Sequence, residues 1–596
     1  MRVSSVYPPQ TIPVPFAPRA CASPAGSSPT VFAPFSQDAF VRARAQGVPV
    51  FVMIGEISGA FSDPALSAQL LERTVPVHLV PGARPDVELL CQRAGALFSG
   101  EGALPLCALM TEDALPFLAA PLPPRGYPID PARLYVWLSQ ADRRFAQNHA
   151  ACSHQAREVI HSFRAAPPSR AYSPKDAAHD LSRALLAIED TINGGFGGIK
   201  APLVCALRFM QHAAGNGNKA AHAALGRALD AMYASALHDP LDGTFFRSTL
   251  TEDWRAFVPE KPLAINSLLA LILLDGGRRS EAVRLLDTIL SGFSLEGGGF
   301  SPMLHAPLSA YTFTPEQVCA AVGSEQGLRA CRLLGLLRQH AKAPPELTPS
   351  RFSPVIQKPA AGHRSRSMDS PALTPTLAPS LTPEDAAFLR RVMPFLLRAR
   401  AARDPQRPAP YVLTEHAALC AAVLAQCGKR LGEPRYMQAA QRAVSFLIGQ
   451  PPAAGGTAPL PASLIPSSPL LAQATCGAAA ALALAQLTLG QSEGMEEYAH
   501  SGLRLLGAAL HAFVRPDGVV MHTPKDPAAF FPRVPAIYDS ELPSPAALLV
   551  HALRIAHQLR PDMGYDGAIE TIWDAAAPAA HAQPIACASL IDAMNA

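Results

Sequence analysis

Charge is what this sequence has least of. Only 16% of its 596 residues are Asp, Glu, Lys or Arg, and the net charge is +3. No stripe of Lys and Arg interleaved with aromatic residues occurs, so the electrostatic footprint of a nucleic-acid binder is missing. Cysteine is sparse as well. Eleven are scattered irregularly, with no Cys-x-x-Cys, a pattern that fits buried free thiols in a reducing compartment rather than a disulfide framework. Long apolar runs are also lacking, and nothing approaches the ~18 uninterrupted residues that a membrane span requires. Residues 1–28 have no apolar segment of the kind that marks a secretory signal. No His/Cys/Asp cluster has metal-ligand spacing, and no glycine-rich loop sits in the strand–loop–helix context of a phosphate cradle. These absences predict a cytoplasmic chain with neither nucleic acid nor membrane as partner, and with no metal or cofactor.

What is present is apolar material, 49% of the chain, enough for more than one domain at this length. Residues 1–34 read as a proline-rich, disordered leader. Residues 35–150 alternate in period. A helix over 37–46 precedes the apolar strand Val48-Pro49-Val50-Phe51-Val52-Met53-Ile54-Gly55. A helical run over 64–72, a strand over 75–80 and a helix over 85–94 follow. The hairpin 104–110/115–118 and a helix over 130–148 complete a βαβ unit with a hairpin and closing helix, the order of a thioredoxin-like α/β domain. Where the first long strand meets its helix, a redox thioredoxin carries Cys-x-x-Cys; here the slot reads Gly59-Ala60-Phe61-Ser62. A serine hydroxyl cannot supply the thiolate that disulfide exchange needs. Leu104-Pro105 stands where such folds place a cis-proline beside the active site.

From about residue 172 the pattern becomes helical. Helices are expected at 175–192, 203–214, 219–236, 263–275, 279–292, 315–339, 384–402, 412–431, 435–449, 470–488, 493–512, 544–559 and 583–595. A glycine–aromatic element recurs at Gly194-Gly195-Phe196-Gly197, Asp242-Gly243-Thr244-Phe245 and Gly297-Gly298-Gly299-Phe300, echoed at Asp517-Gly518-Val519-Val520. The first three lie about fifty residues apart, the interval of a repeated two-helix unit. Such pairs imply an all-α (α/α)6 toroid over 172–340 and 384–596, an irregular helical solenoid being the alternative. Residues 341–383 carry nine prolines and the basic patch His363-Arg364-Ser365-Arg366, and read as a disordered Pro/Ser-rich insert.

Several segments carry a family resemblance: Arg84-Pro85-Asp86, Gly102 to Leu106, Gly194 to Gly197 with Lys200, and Phe245-x-Arg247 ahead of Trp254. Glu260-Lys261, Asn266, Val412-Leu413-Thr414, and Tyr538-Asp539 with Pro543-Ser544 add to them. In this order and spacing they resemble the thioredoxin-domain family that includes spermatogenesis-associated protein 20 and its bacterial relatives. The resemblance implies a thioredoxin-like domain joined to a six-hairpin barrel similar to N-acylglucosamine 2-epimerases and six-hairpin glycosidases. The departures are specific. The family's Cys-x-x-Cys is replaced by Gly59 to Ser62. Its segment Pro-His-Phe-Glu-Lys-Met-Leu-Tyr-Asp-Asn stands as Phe257 to Asn266, keeping Glu260, Lys261 and Asn266 but placing Val258 for His and Ile265 for Asp. Phe246 replaces the histidine ahead of Arg247, His305 lies in a run that has lost its acidic residues, and Thr-Ser-Trp-Asn becomes Thr414-Glu415-His416-Ala417.

Sugar-processing barrels need convergent carboxylates or histidines for proton transfer, and on this reading most are lost. The survivors are Glu260 as acid or base with Lys261 beside it, Arg247 as its partner or an anion clamp, and Asp539 as an acceptor at a helix rim. Lys261, Asn266, Tyr538, Ser62 and Pro105 are the binding candidates, and His305 and His416 occupy former polar positions. Each has a structural counterpart: an ion pair for Glu260 and Arg247, a cap or turn for Asp539, and a helix cap for Ser62. The leading expectation is a redox-inactive protein whose barrel binds a carbohydrate-like molecule or a protein partner. An active epimerase- or glycosidase-like enzyme and an interaction scaffold are the alternatives.

Overall fold

The computed structural model describes residues 31–337, 373–377 and 381–596, except 126, 165–170, 199, 454–459, 463, 466–473 and 527–528. The leader up to residue 30 and most of the insert lie outside the described residues.

The N-terminal sheet has the order β1-β3-β2-β4-β5, from strands Ala33–Pro34, Val50–Ile54, Val75–Leu79, Leu106–Met110 and Pro116–Pro121 (β1 to β5). β1 and β2 run parallel to β3, whereas β4 is antiparallel to β2 and β5. This is a thioredoxin-like sheet. Its first strand comes from the segment expected to be disordered: Ala33 and Pro34 pair with Val77 and His78, and Phe32 packs edge-to-face on Phe61 with centroids 5.2 Å apart.

β2 is buried along its whole length, because both faces of the sheet are covered. Alternation then sorts its residues. Phe51 and Met53 join the core formed with helices α2 (Pro64–Arg73) and α4 (Pro131–Gln147). Val50, Val52 and Ile54 face α1 (Gln37–Gln46) and α3 (Pro85–Phe98), and their core continues into the helical part. Helices α2, α3 and α4 each start with proline in the first turn, where its missing N–H costs nothing. A further helix, α5 (His149–His161), was not expected from the sequence.

The rest is built from α6 (Pro174–Ala187), α7 (Val204–Gly215), α8 (Lys219–Tyr233), α9 (Leu263–Asp275), α10 (Arg279–Gly292), α11 (Pro315–Val322), α12 (Ser324–Leu333) and α13 (Pro383–Arg403). After these come α14 (Thr414–Leu431), α15 (Pro434–Ile448), α16 (Cys476–Gly490), α17 (Glu496–Phe513), α18 (Pro545–Leu559), α19 (Tyr565–Ala582) and α20 (Ala588–Asn595). Six of them close a ring in the order α7-α9-α14-α16-α18-α20, with α20 packed back on α7. An outer helix accompanies each: α8, α10, α15, α17, α19 and α6. Inner and outer helices alternate along the chain, which is the (α/α)6 toroid. The inner helices α9 and α16 are apolar all round, and every described residue of α16 up to Leu489 is buried.

The glycine–aromatic elements are tight turns that follow outer helices and lead the chain toward inner ones. Bridges Glu189–Phe196, His238–Phe245, Ser294–Phe300 and Val514–Val520 close them. In the first, Gly194 and Gly195 have φ of 80° and 76°, a region that disfavours any residue with a Cβ.

Two expectations are corrected in the helical region. The helix expected over 315–339 is two short ones, broken at Gly323 with φ 88°. The helix expected over 384–402 forms as α13 but lies outside the ring, sharing a satellite core with α11 and α12 through Val318, Cys331, Phe388 and Val392. Among the described residues no helix is long and apolar enough to cross a membrane.

Candidate functional site

Strand-to-helix loops at one end of the sheet and the N-terminal ends of the inner helices face each other, and between them lies a cavity of about 990 Å3. From the α/β domain it receives the 55–62 loop, the turn at Val80 to Gly82, and Glu88 from the first turn of α3. From the toroid it receives residues that precede or open inner helices. Arg247 follows the second glycine turn. Glu260 begins β6 (Glu260–Pro262), just before α9. His305 ends β7 (Met303–His305), which pairs with β6. Glu415 and His416 stand in the first turn of α14, and Glu541 stands just before α18.

Arg247 is the centre of its polar side. Its Nε donates to Glu260 Oε2 at 2.8 Å, and another guanidinium nitrogen donates to Glu541. Those carboxylates hold the guanidinium even more firmly protonated than usual despite its burial. On the other side, Arg125 pairs with Glu56 at 2.6 Å. Burial raises the Glu56 carboxyl, partly offset by Arg125.

The remaining groups form no ion pair among the described residues, and burial dominates them. Glu88 is pushed up to about 8 by burial, although its carboxylate accepts from the Gly82 N–H. Glu415 is pushed up to about 7 by burial alone, and its carboxyl fills space left by a glycine: a Cβ on Gly477 of α16 would stand 2.1 Å from Glu415 Oε2. Beside it, His416 is lowered to about 4 by burial and by Arg247, and its Nδ1 is buried without a hydrogen-bond partner. Burial also lowers His78 and His305, and His78 Nε2 donates to the Gly55 carbonyl at 2.6 Å. The site therefore holds carboxyls that stay protonated toward neutrality beside imidazoles that stay neutral, the complement needed for proton donation and acceptance. Tyr411, Phe61, Met303 and Leu413 supply apolar wall. Among the described residues no three His, Cys, Asp or Glu side chains are grouped as metal ligands.

In the slot of the missing cysteines the chain forms a short 3-10 turn, Gly59–Ser62. Phe61 turns into the core and Ser62 stays exposed at the cavity. Ser62 is not the helix cap expected of it: Asp63 caps α2, accepting from Leu66 N at 2.9 Å, and Ser58 caps the 3-10 turn. The Leu104–Pro105 peptide is cis, and Pro105 lines a smaller adjoining hollow that shares Glu56, Arg247 and Glu260 with the main cavity. Among the described residues no cysteine lines the cavity. Burial drives thiols such as Cys91, Cys107, Cys205 and Cys476 upward, Cys107 to about 12.

Of the remaining candidates, Arg247 and Glu260 meet in the cavity and Asp539 does not join them. Asp539 is buried between α18 and α20, accepting from Ser544 N at 3.0 Å, Ser589 N at 2.8 Å and the Ser589 hydroxyl. Burial lifts it to about 6. Tyr538 is buried against Phe163, with centroids 5.8 Å apart. Lys261 does not face Glu260. Its Nζ is fully buried between Asp239 and Asp242, at 2.6 Å from each, and Arg400 of α13 closes the cluster. Adjacent strand residues point to opposite sides, which sends Glu260 to the cavity and Lys261 inward. Asn266 is a core bracket, bonded to both the N–H and the carbonyl of Phe245.

Glu56, Glu88 and Glu541 are absent from the residues expected at the site, and Glu415 enters there only as the neighbour of His416; with them the cavity keeps far more acid–base groups than expected. The available signal was Glu415-His416, two polar residues opening an otherwise apolar helix. For Glu88 and Glu56, which reach the site only through domain packing, no local signal exists.

Residues 24–164 match a thioredoxin family model, Thioredox_DsbH, described as a protein of unknown function, DUF255. No curated protein matches the chain. Among solved structures, a D-mannose isomerase is similar at 11% identity and a TM-score of 0.41, over 68% of this chain and 85% of that one. Cellobiose 2-epimerase from Bacillus thermoamylovorans B4167 is similar at 8% identity and a TM-score of 0.39, over 67% and 86%.

Proposed function

Because residues 24–164 belong to a thioredoxin-like family yet offer the cavity no thiol, we propose that the domain serves recognition. On this reading the chain binds a small carbohydrate-like molecule between the two domains and is not a thiol oxidoreductase. The observation that carries it is the cavity of about 990 Å3 to which both domains contribute polar groups. That volume suits a mono- or disaccharide-sized ligand. A polyhydroxy compound needs many paired donors and acceptors around an apolar wall. Glu260, Glu541, Arg247 and His305 provide the former, and Tyr411 and Met303 the latter. The α/β domain acts as the roof, its 55–62 loop taking the place of a redox motif with a polar rim.

The test is a panel of neutral mono- and disaccharides examined by saturation-transfer NMR, together with an insulin-reduction assay. Binding of a panel member and no thiol-dependent reduction are expected. Appreciable insulin reduction removes the non-redox part, and a panel without a binder removes the carbohydrate part.

A second reading, an enzyme that moves protons on the bound molecule, is favoured by one observation. Glu415 near 7 and neutral His416 both line the cavity from the first turn of α14, in protonation states that let one donate and the other accept near neutral pH. Turnover of a bound sugar, abolished in Glu415→Gln with binding retained, is its signature. Binding without turnover leaves the binding reading and dismisses this one.

A further inference from the structure

The charge census of the cavity points to the kind of carbohydrate. Five glutamates line it, Glu56, Glu88, Glu260, Glu415 and Glu541, against two arginines and no lysine. Both arginines are already taken: Arg125 by Glu56, and Arg247 by Glu260 and Glu541. Among the described lining residues no free cation is left to meet an anionic ligand. The three histidines His78, His305 and His416 are kept neutral by burial and add none.

The carboxyl of Glu415 differs from the others. No side chain or backbone group of the described residues hydrogen-bonds to it, and no charged group offsets its burial. It sits in the first turn of α14, against the glycine that opens α16. A helix N-terminus favours a carboxylate there, so what the ionised form lacks is a nearby donor.

Building on the carbohydrate reading, we propose that the ligand carries a primary ammonium, an amino sugar with a free amine, seated against Glu415. An ammonium brings three N–H donors and a positive charge, which suits a carboxylate that has no donor of its own. A neutral hydroxyl supplies one donor, and a uronate or phosphate would bring negative charge to five carboxyl groups.

The proposal has a thermodynamic signature. Near pH 7 Glu415 is about half protonated and Glu88 mostly protonated. Seating a cation favours their ionised forms, so each binding event expels protons to the buffer. Among the described residues the titratable group that faces Glu415 is Cys476, which opens α16 beside Gly477 and whose thiol burial and the Glu415 carboxyl together keep protonated.

Isothermal titration of the full chain near pH 7 with glucosamine, glucose and glucuronate tests it, each run in PIPES and in HEPES to count protons. The expected result is glucosamine tighter than glucose by at least about tenfold, as one charge-assisted pair implies. Up to about one proton is released per ligand, and glucuronate is weakest. Glu415→Gln should erase the preference for glucosamine over glucose and cut the proton release to the part that Glu88 supplies. The thermal transition of that variant, unchanged or raised, certifies its fold. Glucose binding as well as glucosamine, without proton release, overturns the amine class and leaves the carbohydrate site standing. Glucuronate binding tightest also overturns it. Failure of all three sugars to bind removes both readings.

Discussion

Replacing Glu88 with glutamine should make this protein more stable at alkaline pH, the reverse of the usual effect of removing a charged residue. The carboxyl lies in the first turn of α3 under the cavity, and burial raises it from 4.5 to about 8. In the folded chain it therefore keeps a proton that the unfolded chain has already lost. Between pH 4.5 and 8 the folded state binds more protons, so stability falls as pH rises through that window and levels off above it. At about 1.4 kcal/mol per pH unit, a rise from 4.5 to about 8 amounts to roughly 5 kcal/mol across the window. Glutamine cannot titrate, and its carbonyl oxygen still accepts from the Gly82 N–H. The difference in urea-unfolding free energy between Glu88→Gln and the parent should be near zero at pH 4.5 and grow toward roughly 3–5 kcal/mol by pH 8. Glu415 and Asp539 have the same sign of dependence but are present in both proteins, so the difference curve isolates Glu88. Parallel curves for variant and parent across pH 5–8 would refute the burial argument.

Other outcomes follow from the geometry. Gly477→Ala places a Cβ where Glu415 Oε2 lies. It should abolish ligand binding in calorimetry while leaving the thermal midpoint intact, since alanine suits a helix better than glycine. Arg400→Met strips the buried Asp239–Asp242 pair of one of its two counter-charges and should cost about 3–5 kcal/mol in chemical denaturation. Asp539→Asn removes a carboxylate that ties Ser544 to Ser589. A loss of about 1–3 kcal/mol of stability is expected, with ligand affinity in the folded protein unchanged. A fall in affinity would return Asp539 to the site.

The fold was legible because its signals are local and repeated. Helices over 37–46, 263–275 and 279–292 begin and end where the periodicity places them, and the glycine–aromatic turns mark the toroid's outer-to-inner connections. What could not be read was set by tertiary packing. Arg247 and Glu260 share a cavity, but Lys261, next in sequence, faces the other way and is held by Asp239 and Asp242, which Arg400 of α13 also pairs. Asp539 resembles a rim acceptor in sequence and is a buried tie between two inner helices. Glu88 becomes a site residue only because the sheet's loop end docks over the ring, a juxtaposition no single segment encodes.

The central claim, that the space between the 55–62 loop and the inner-helix ends is a ligand site, is tested most directly by a crystal structure soaked with the tightest-binding sugar of the panel. Density within reach of Glu260, Glu415 and Glu541, roofed by Ser58 to Ser62, is predicted. Sugar density at any other surface, with this cavity holding only solvent, would contradict it.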